Sequence, residues 1–110
     1  MKTQPHNITK IKKRIISILD KYFGEDYLLF LFGSFAKNKI IDNTSDIDLA
    51  IYSKVPIPSF KIVKINEELE TKAGTLREIQ LINLNEDVDK RLLKSILEEG
   101  LLWKKTKNSE

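Results

Sequence analysis

The chain contains no cysteine. That absence excludes disulfides, thiolate metal sites and thiol nucleophiles together. Its one histidine, His6, lies in a polar opening segment and is given no role, so any metal must be held by oxygen ligands. No apolar run approaches the length needed to cross a bilayer, and the opening MKTQPHNITKIKKR has no apolar stretch behind its positive charges. A cytoplasmic protein is expected. There is no internal repeat, and the net charge of +3 is too small to mark a dedicated polyanion binder. The lysines near both ends would suit a phosphate-rich partner and serve solubility equally well.

What is present fits one domain. With 110 residues, 41% hydrophobic and 32% charged, the chain can bury a modest core and has little left for a second module. Residues 7–104 are expected to form it, with residues 1–6 a frayed tail and 105–110 a disordered one. From Asn7, apolar residues Ile8, Ile11, Ile15, Ile18, Leu19, Tyr22 and Phe23 recur at helical spacing up to Gly24, with lysines and Arg14 on the other side. Leu28–Phe32 and Ile47–Tyr52 read as strands, Ser59–Lys72 as a helix with an apolar stripe of Phe60, Ile62, Val63 and Leu69, and Leu76–Leu84 as a third strand. Glu86–Asp89 opens a last helix with a stripe of Val88, Leu92, Leu93, Ile96 and Leu97, closed by Gly100. Leu101-Leu102-Trp103 is a short apolar segment. This order argues an α/β (α+β) fold, a small mixed sheet with helices packed against it. Strand directions do not follow from it.

The chemistry concentrates between Leu28 and Tyr52. Gly33-Ser34 follows an apolar strand, where small residues let backbone N–H groups and a hydroxyl approach an anion such as phosphate. Ser34–Lys39 is expected to form a short helical turn whose N-terminal end favours anions. Asp46 and Asp48 are two apart on an extended segment, so both carboxylates aim at one space and together suit a divalent cation. Either feature alone is ordinary turn chemistry; their succession, strand, Gly-Ser, loop, Asp-Ile-Asp, strand, is the signal.

Gly33-Ser34 followed by Asp46-x-Asp48 resembles the signature of the DNA polymerase β-type nucleotidyltransferase superfamily, and in particular its small branch, the minimal nucleotidyltransferases (MNT). The resemblance covers nearly the whole chain, with a spacer between Ser34 and Asp46 one residue longer than usual. It implies the nucleotidyltransferase fold, ATP as substrate with its triphosphate on Gly33 and Ser34, and Mg²⁺ on Asp46 and Asp48; Lys37 sits where the family often has a basic residue, which makes it a candidate phosphate or partner-phosphate contact or else an ordinary surface lysine. It also implies a HEPN-domain toxin as partner, to a hydroxyl of which AMP is transferred, so that this chain acts as the antitoxin.

The family has a third carboxylate on a later strand, and Gln80 falls at that position. An amide offers one weaker oxygen, carries no charge and cannot accept a proton. Glu78 is the acid on the same strand face, roughly 6.7 Å away along the strand, and is read either as a metal ligand in a shifted register or as a surface glutamate. Two alternatives follow: a catalytically impaired MNT domain that neutralises its HEPN partner by binding, and a small basic protein that binds nucleic acid through its first helix. Glu67 and Glu70 are read as a wet helix face.

Overall fold

A computed structural model of the protein describes residues 8–24, 26–33, 46–75, 77–86 and 88–104. Three helices and four strands follow in the order α1 (Ile8–Phe23), β1 (Tyr27–Phe32), β2 (Ile47–Ser53), α2 (Ser59–Lys72), β3 (Ile79–Asn83), α3 (Lys90–Glu99) and β4 (Leu101–Lys104). The strands form one mixed sheet of order β3-β2-β1-β4. β1 runs antiparallel to both β2 and β4, while β2 and β3 are parallel and are joined through α2, the crossover that parallel pairing requires. The expected mixed α/β sheet is what forms.

The core is the sheet face covered by α1 and α2. Ile11, Ile15 and Leu19 of α1 and Ile65 and Leu69 of α2 pack on Leu29, Leu31, Ile47, Leu49, Ile51, Ile79 and Leu81, the alternating residues that share one side of the strands. Residues between them, including Asp48, Ala50 and Gln80, point to the opposite face. Ala50 is nonetheless fully buried, and α3, which packs against β1, buries Ile96 outside the main cluster. The second face is thus covered around Ala50 and open around Asp46, Gln80 and Tyr52.

Several expectations need correction. Phe60 and Val63 are 75% and 59% exposed; the buried stripe of α2 is Ile65 and Leu69, because the helix turns its other side to the sheet. Leu97 is 61% exposed and α3 buries Ile96. α3 begins at Lys90, with the Asp89 side chain accepting a hydrogen bond from the Arg91 N–H at 3.1 Å, so the acid acts as a cap rather than as a first-turn residue. β3 is shorter than its apolar pattern suggested. The segment after Gly100 is a fourth strand that buries Trp103 in the core.

Polar contacts fix how these parts meet. Glu68 of α2 takes hydrogen bonds from Lys21 and from the Tyr22 hydroxyl (2.6 Å), tying α2 to α1. Basic residues of α1 serve the fold as well: Lys12 lies over the Trp103 ring, 5.6 Å from its centroid, and the Arg14 guanidinium packs against Gly74.

Two asparagines bond strands as a peptide would. The Asn66 carboxamide accepts from the Leu81 N–H (3.0 Å) and donates to the Leu81 carbonyl (3.3 Å), on the outer edge of β3. The Asn85 carboxamide accepts from the Ser53 N–H (2.9 Å) and donates to the Ser53 carbonyl (2.6 Å), extending the β2 to β3 pairing beyond Asn83.

Candidate active site

Because β1 runs against β2 and β3, its C-terminal end lies beside their N-terminal ends. Gly33, Asp46, Asp48, Glu78 and Gln80 are therefore gathered at one end of the sheet. Phe32 pairs with Asp48, and Asp48 pairs with Gln80. The Ile47 N–H donates to the Glu78 carbonyl at 2.9 Å, joining the two parallel strands where both begin. Asp46, Asp48, Glu78 and Gln80 alternate onto the same, open face. The two aspartates are thus brought together as expected, with Glu78 and Gln80 beside them. Ser34, Lys37 and the helical turn expected at 34–39 lie outside the described residues.

Gly33 has φ +79°, in the left-handed region, and a Cβ placed on it would lie 2.5 Å from Asp48 Oδ2. Both facts require glycine: the strand ends by turning in a conformation that side chains resist, and the turn leaves room for the carboxylate. The Gly33 main chain and the Asp48 carboxylate consequently share one wall of the site.

The site's electrostatics are those of crowded anions. The Asp48 carboxyl is held above its ordinary value of 3.8, first by burial, then by the negative charges of Asp46 and Glu78. A bound cation would relieve all three causes. Among the described residues, however, no three acidic or imidazole side chains come close enough to hold a metal by themselves. Glu78 acts on Asp48 through its charge without completing a three-carboxylate cluster. The donor set fits Mg²⁺ in a particular way: two carboxylates with the remaining positions left to water and phosphate oxygens, the usual manner in which Mg²⁺ is held with a nucleotide.

Next to this end of the sheet, a groove of about 330 Å³ runs between α2 and β3, lined by Val63, Asn66, Glu67, Glu70, Glu78 and Gln80 among others. Glu67 and Glu70 are exposed, as expected, and Glu78 and Gln80 belong to both groove and site. Sequence reasoning missed Asn66, a polar residue within the helix; its spacing from the buried Ile65 and Leu69 was the signal that it borders the sheet.

No helix among the described residues is long and apolar enough to cross a membrane. No match was found among curated proteins. Solved structures are similar in fold. A chain of a toxin–antitoxin complex with AMP-PNP superposes with a TM-score of 0.72 at 21% identity, over 87% of this chain and 74% of that one. A chain of the tri-AMPylated Shewanella oneidensis HEPN toxin in complex with MNT antitoxin gives 0.69 at 19%, over 92% and 74%. One from the MntA–HepT toxin–antitoxin complex gives 0.68 at 19%, over 91% and 74%. Residues 13–108 match the family described as polymerase beta, nucleotidyltransferase. With a mixed sheet that sets Asp46 and Asp48 beside Gly33, and a family match over most of its length, this chain belongs to the polymerase β-type nucleotidyltransferases.

Proposed function

We propose that this chain is a Mg²⁺-dependent protein adenylyltransferase that transfers AMP from ATP to a hydroxyl of a HEPN-domain toxin, and so acts as its antitoxin. The observation that carries this reading is the Asp46/Asp48 pair on an open face, walled by the Gly33 main chain. Support for the substrate and partner comes from the fold neighbours, one crystallised with AMP-PNP and one with a HEPN toxin carrying AMP.

In the reaction, the acceptor hydroxyl oxygen forms a bond to the α-phosphorus of ATP, the bond from that phosphorus to the bridging oxygen breaks, and pyrophosphate leaves as the hydroxyl proton is lost. Asp46 and Asp48 would hold Mg²⁺, which when bound neutralises the triphosphate and the charge growing on the entering and leaving oxygens. Asp48, being partly buried, offers its charge in a medium where that charge counts for more than in water. Gly33 lets a phosphate come close to the main chain. The open face leaves the acceptor free to enter from outside, as a protein substrate must.

Incubation with labelled ATP, Mg²⁺ and a HEPN-domain toxin tests the reading. Label is expected on the toxin, with Asp46→Asn losing it. Toxin left unlabelled by the native chain would overturn it. A second reading, neutralisation of the toxin by binding alone, draws on Gln80 standing opposite Asp48. It predicts a tight complex that Asp46→Asn leaves equally neutralising.

A further inference from the structure

The register of β3 decides which group faces Asp48, and hydrophobic patterning does not by itself fix that register. A slip by one residue would turn Ile79 and Leu81 out of the core and is excluded. A slip by two is different. It would set Ile79 opposite Leu49 and Leu81 opposite Ile51, apolar against apolar on the same face, and would bring Glu78 opposite Asp48 in place of Gln80. The observed register pairs Ile79 with Ile47 and Gln80 with Asp48.

What distinguishes the two registers is polar, and it comes from two sides: the Asn85 carboxamide holds Ser53 of β2, and Asn66 holds Leu81 on the outer edge of β3. Asn66 is anchored on α2, its Nδ2 donating to the Ile62 carbonyl at 3.2 Å, and the same carboxamide bonds both the N–H and the carbonyl of Leu81. Its orientation follows from its partners: the amide nitrogen faces two carbonyls and the oxygen faces an N–H, so a flipped carboxamide would oppose oxygen to oxygen. In the slipped register Leu81 would be displaced along the strand by about 6.6 Å, two residues' rise, and both bonds would be lost.

We propose that Asn66 is a positioning residue: its carboxamide locks β3 so that Gln80, and not Glu78, stands opposite Asp48 with Glu78 held at the rim of the site. Asn66 acts through β3, since its carboxamide is taken up by the Ile62 and Leu81 main chain. The inference rests on the proposed nucleotide site only for its second readout.

The first readout is independent of activity. In the isotope-labelled full chain, cross-strand nuclear Overhauser contacts between Asp48 and Gln80, and slow exchange of the Leu81 amide, are expected in the native protein. Asn66→Ala is expected to weaken those contacts, to speed Leu81 exchange towards that of an open edge, and to show contacts from Glu78 to Asp48. Asn66→Asp, which keeps an acceptor for the Leu81 N–H and loses the donor, is expected to fall between and serves should the alanine variant fail to fold. The second readout is the Mg²⁺ concentration that gives half the thermal stabilisation by ATP. It is expected to rise about tenfold in Asn66→Ala, in line with the loss of a group that orients metal ligands. Tyr22→Phe, which loosens α2 from α1 away from the site, is expected to lower the melting temperature without moving that concentration. Native Asp48–Gln80 contacts in both Asn66 variants would overturn the proposal, as would a Mg²⁺ midpoint that moves equally in Tyr22→Phe. A native chain with no response to ATP would instead count against the nucleotide site, and the register contacts would still decide the role of Asn66.

Discussion

Asp48 and Gln80 face each other across the parallel pairing of β2 and β3, so an uncharged amide borders the more buried of the two aspartates. Exchange of that amide for a carboxylate, Gln80→Asp, is expected to have opposite effects with and without metal. In the free protein it adds a fourth negative charge to a face where Asp48 is already reluctant to ionise, and the melting temperature should fall. With Mg²⁺ and ATP it supplies a further hard ligand, and the stabilisation by nucleotide should grow. Melting curves with and without Mg²⁺ and ATP check both signs.

Asp48→Asn is expected to trade activity for stability. Loss of the ligand should reduce AMP transfer by about a hundredfold or more, the scale for removing a group that stabilises transition-state charge. The same change relieves a disfavoured charge, so the free protein should melt higher at neutral pH. Asp46→Asn should share the first effect. A transfer assay beside a denaturant titration separates the two.

Two of the three left-handed glycines among the described residues, one at a strand end and one at a helix end, provide an internal control. Gly33 (φ +79°) has the Asp48 carboxylate where a Cβ would go, whereas Gly24 (φ +65°) has nothing within 4 Å of that position. Alanine at either should cost about 1–2 kcal/mol for the backbone conformation. Gly33→Ala should cost more, by displacing Asp48, and should also blunt the response to Mg²⁺ and ATP. Urea unfolding of the two variants measures the difference.

The acid limb of stability is expected to report on Glu68. Hydrogen bonds from Lys21 first, then Tyr22, hold its carboxyl down from 4.5 to about 2. A carboxyl depressed on folding contributes stability that is complete above its unfolded value and lost as pH falls through its folded one. Melting temperature should therefore drop between about pH 4.5 and 2 on this account, and Glu68→Gln should flatten that part of the curve. Asp48 has the opposite sign: its carboxyl is raised, so its contribution is present below its ordinary value and lost as pH rises through the raised one.

Much of this was legible in the residues because local pattern and global fold agree there. α2 runs from Ser59 to Lys72 as its pattern and flanking Pro58 and Gly74 indicate, and the gathering of Asp46 with Asp48 follows from strand alternation alone. Apolar character misled where it was not burial. Phe60, Val63 and Leu97 sit at helical spacing among core residues, yet only the sheet's position decides which side of a helix it covers. β4 was hidden by its brevity, since four residues after a helix carry no period. Spacing could set Asn66 beside the sheet, but the bonds made by Asn66 and Asn85 could not be read, because a carboxamide's partners there are main-chain atoms and leave no mark in side-chain pattern.

The place of β4 also bears on how the chain is made. β1, YLLFLF, has no charge and no proline, which are the features of a segment prone to pairing with copies of itself. Its inner edge is covered by β2, close in sequence, but its outer edge is covered by Leu101–Lys104, which are made well after the other three strands. Until then the nascent chain carries an uncovered apolar edge, long after Asp46, Asp48 and Gln80 have emerged. A chain stopped before Leu101 would thus retain every acidic residue of the site and fail as insoluble protein.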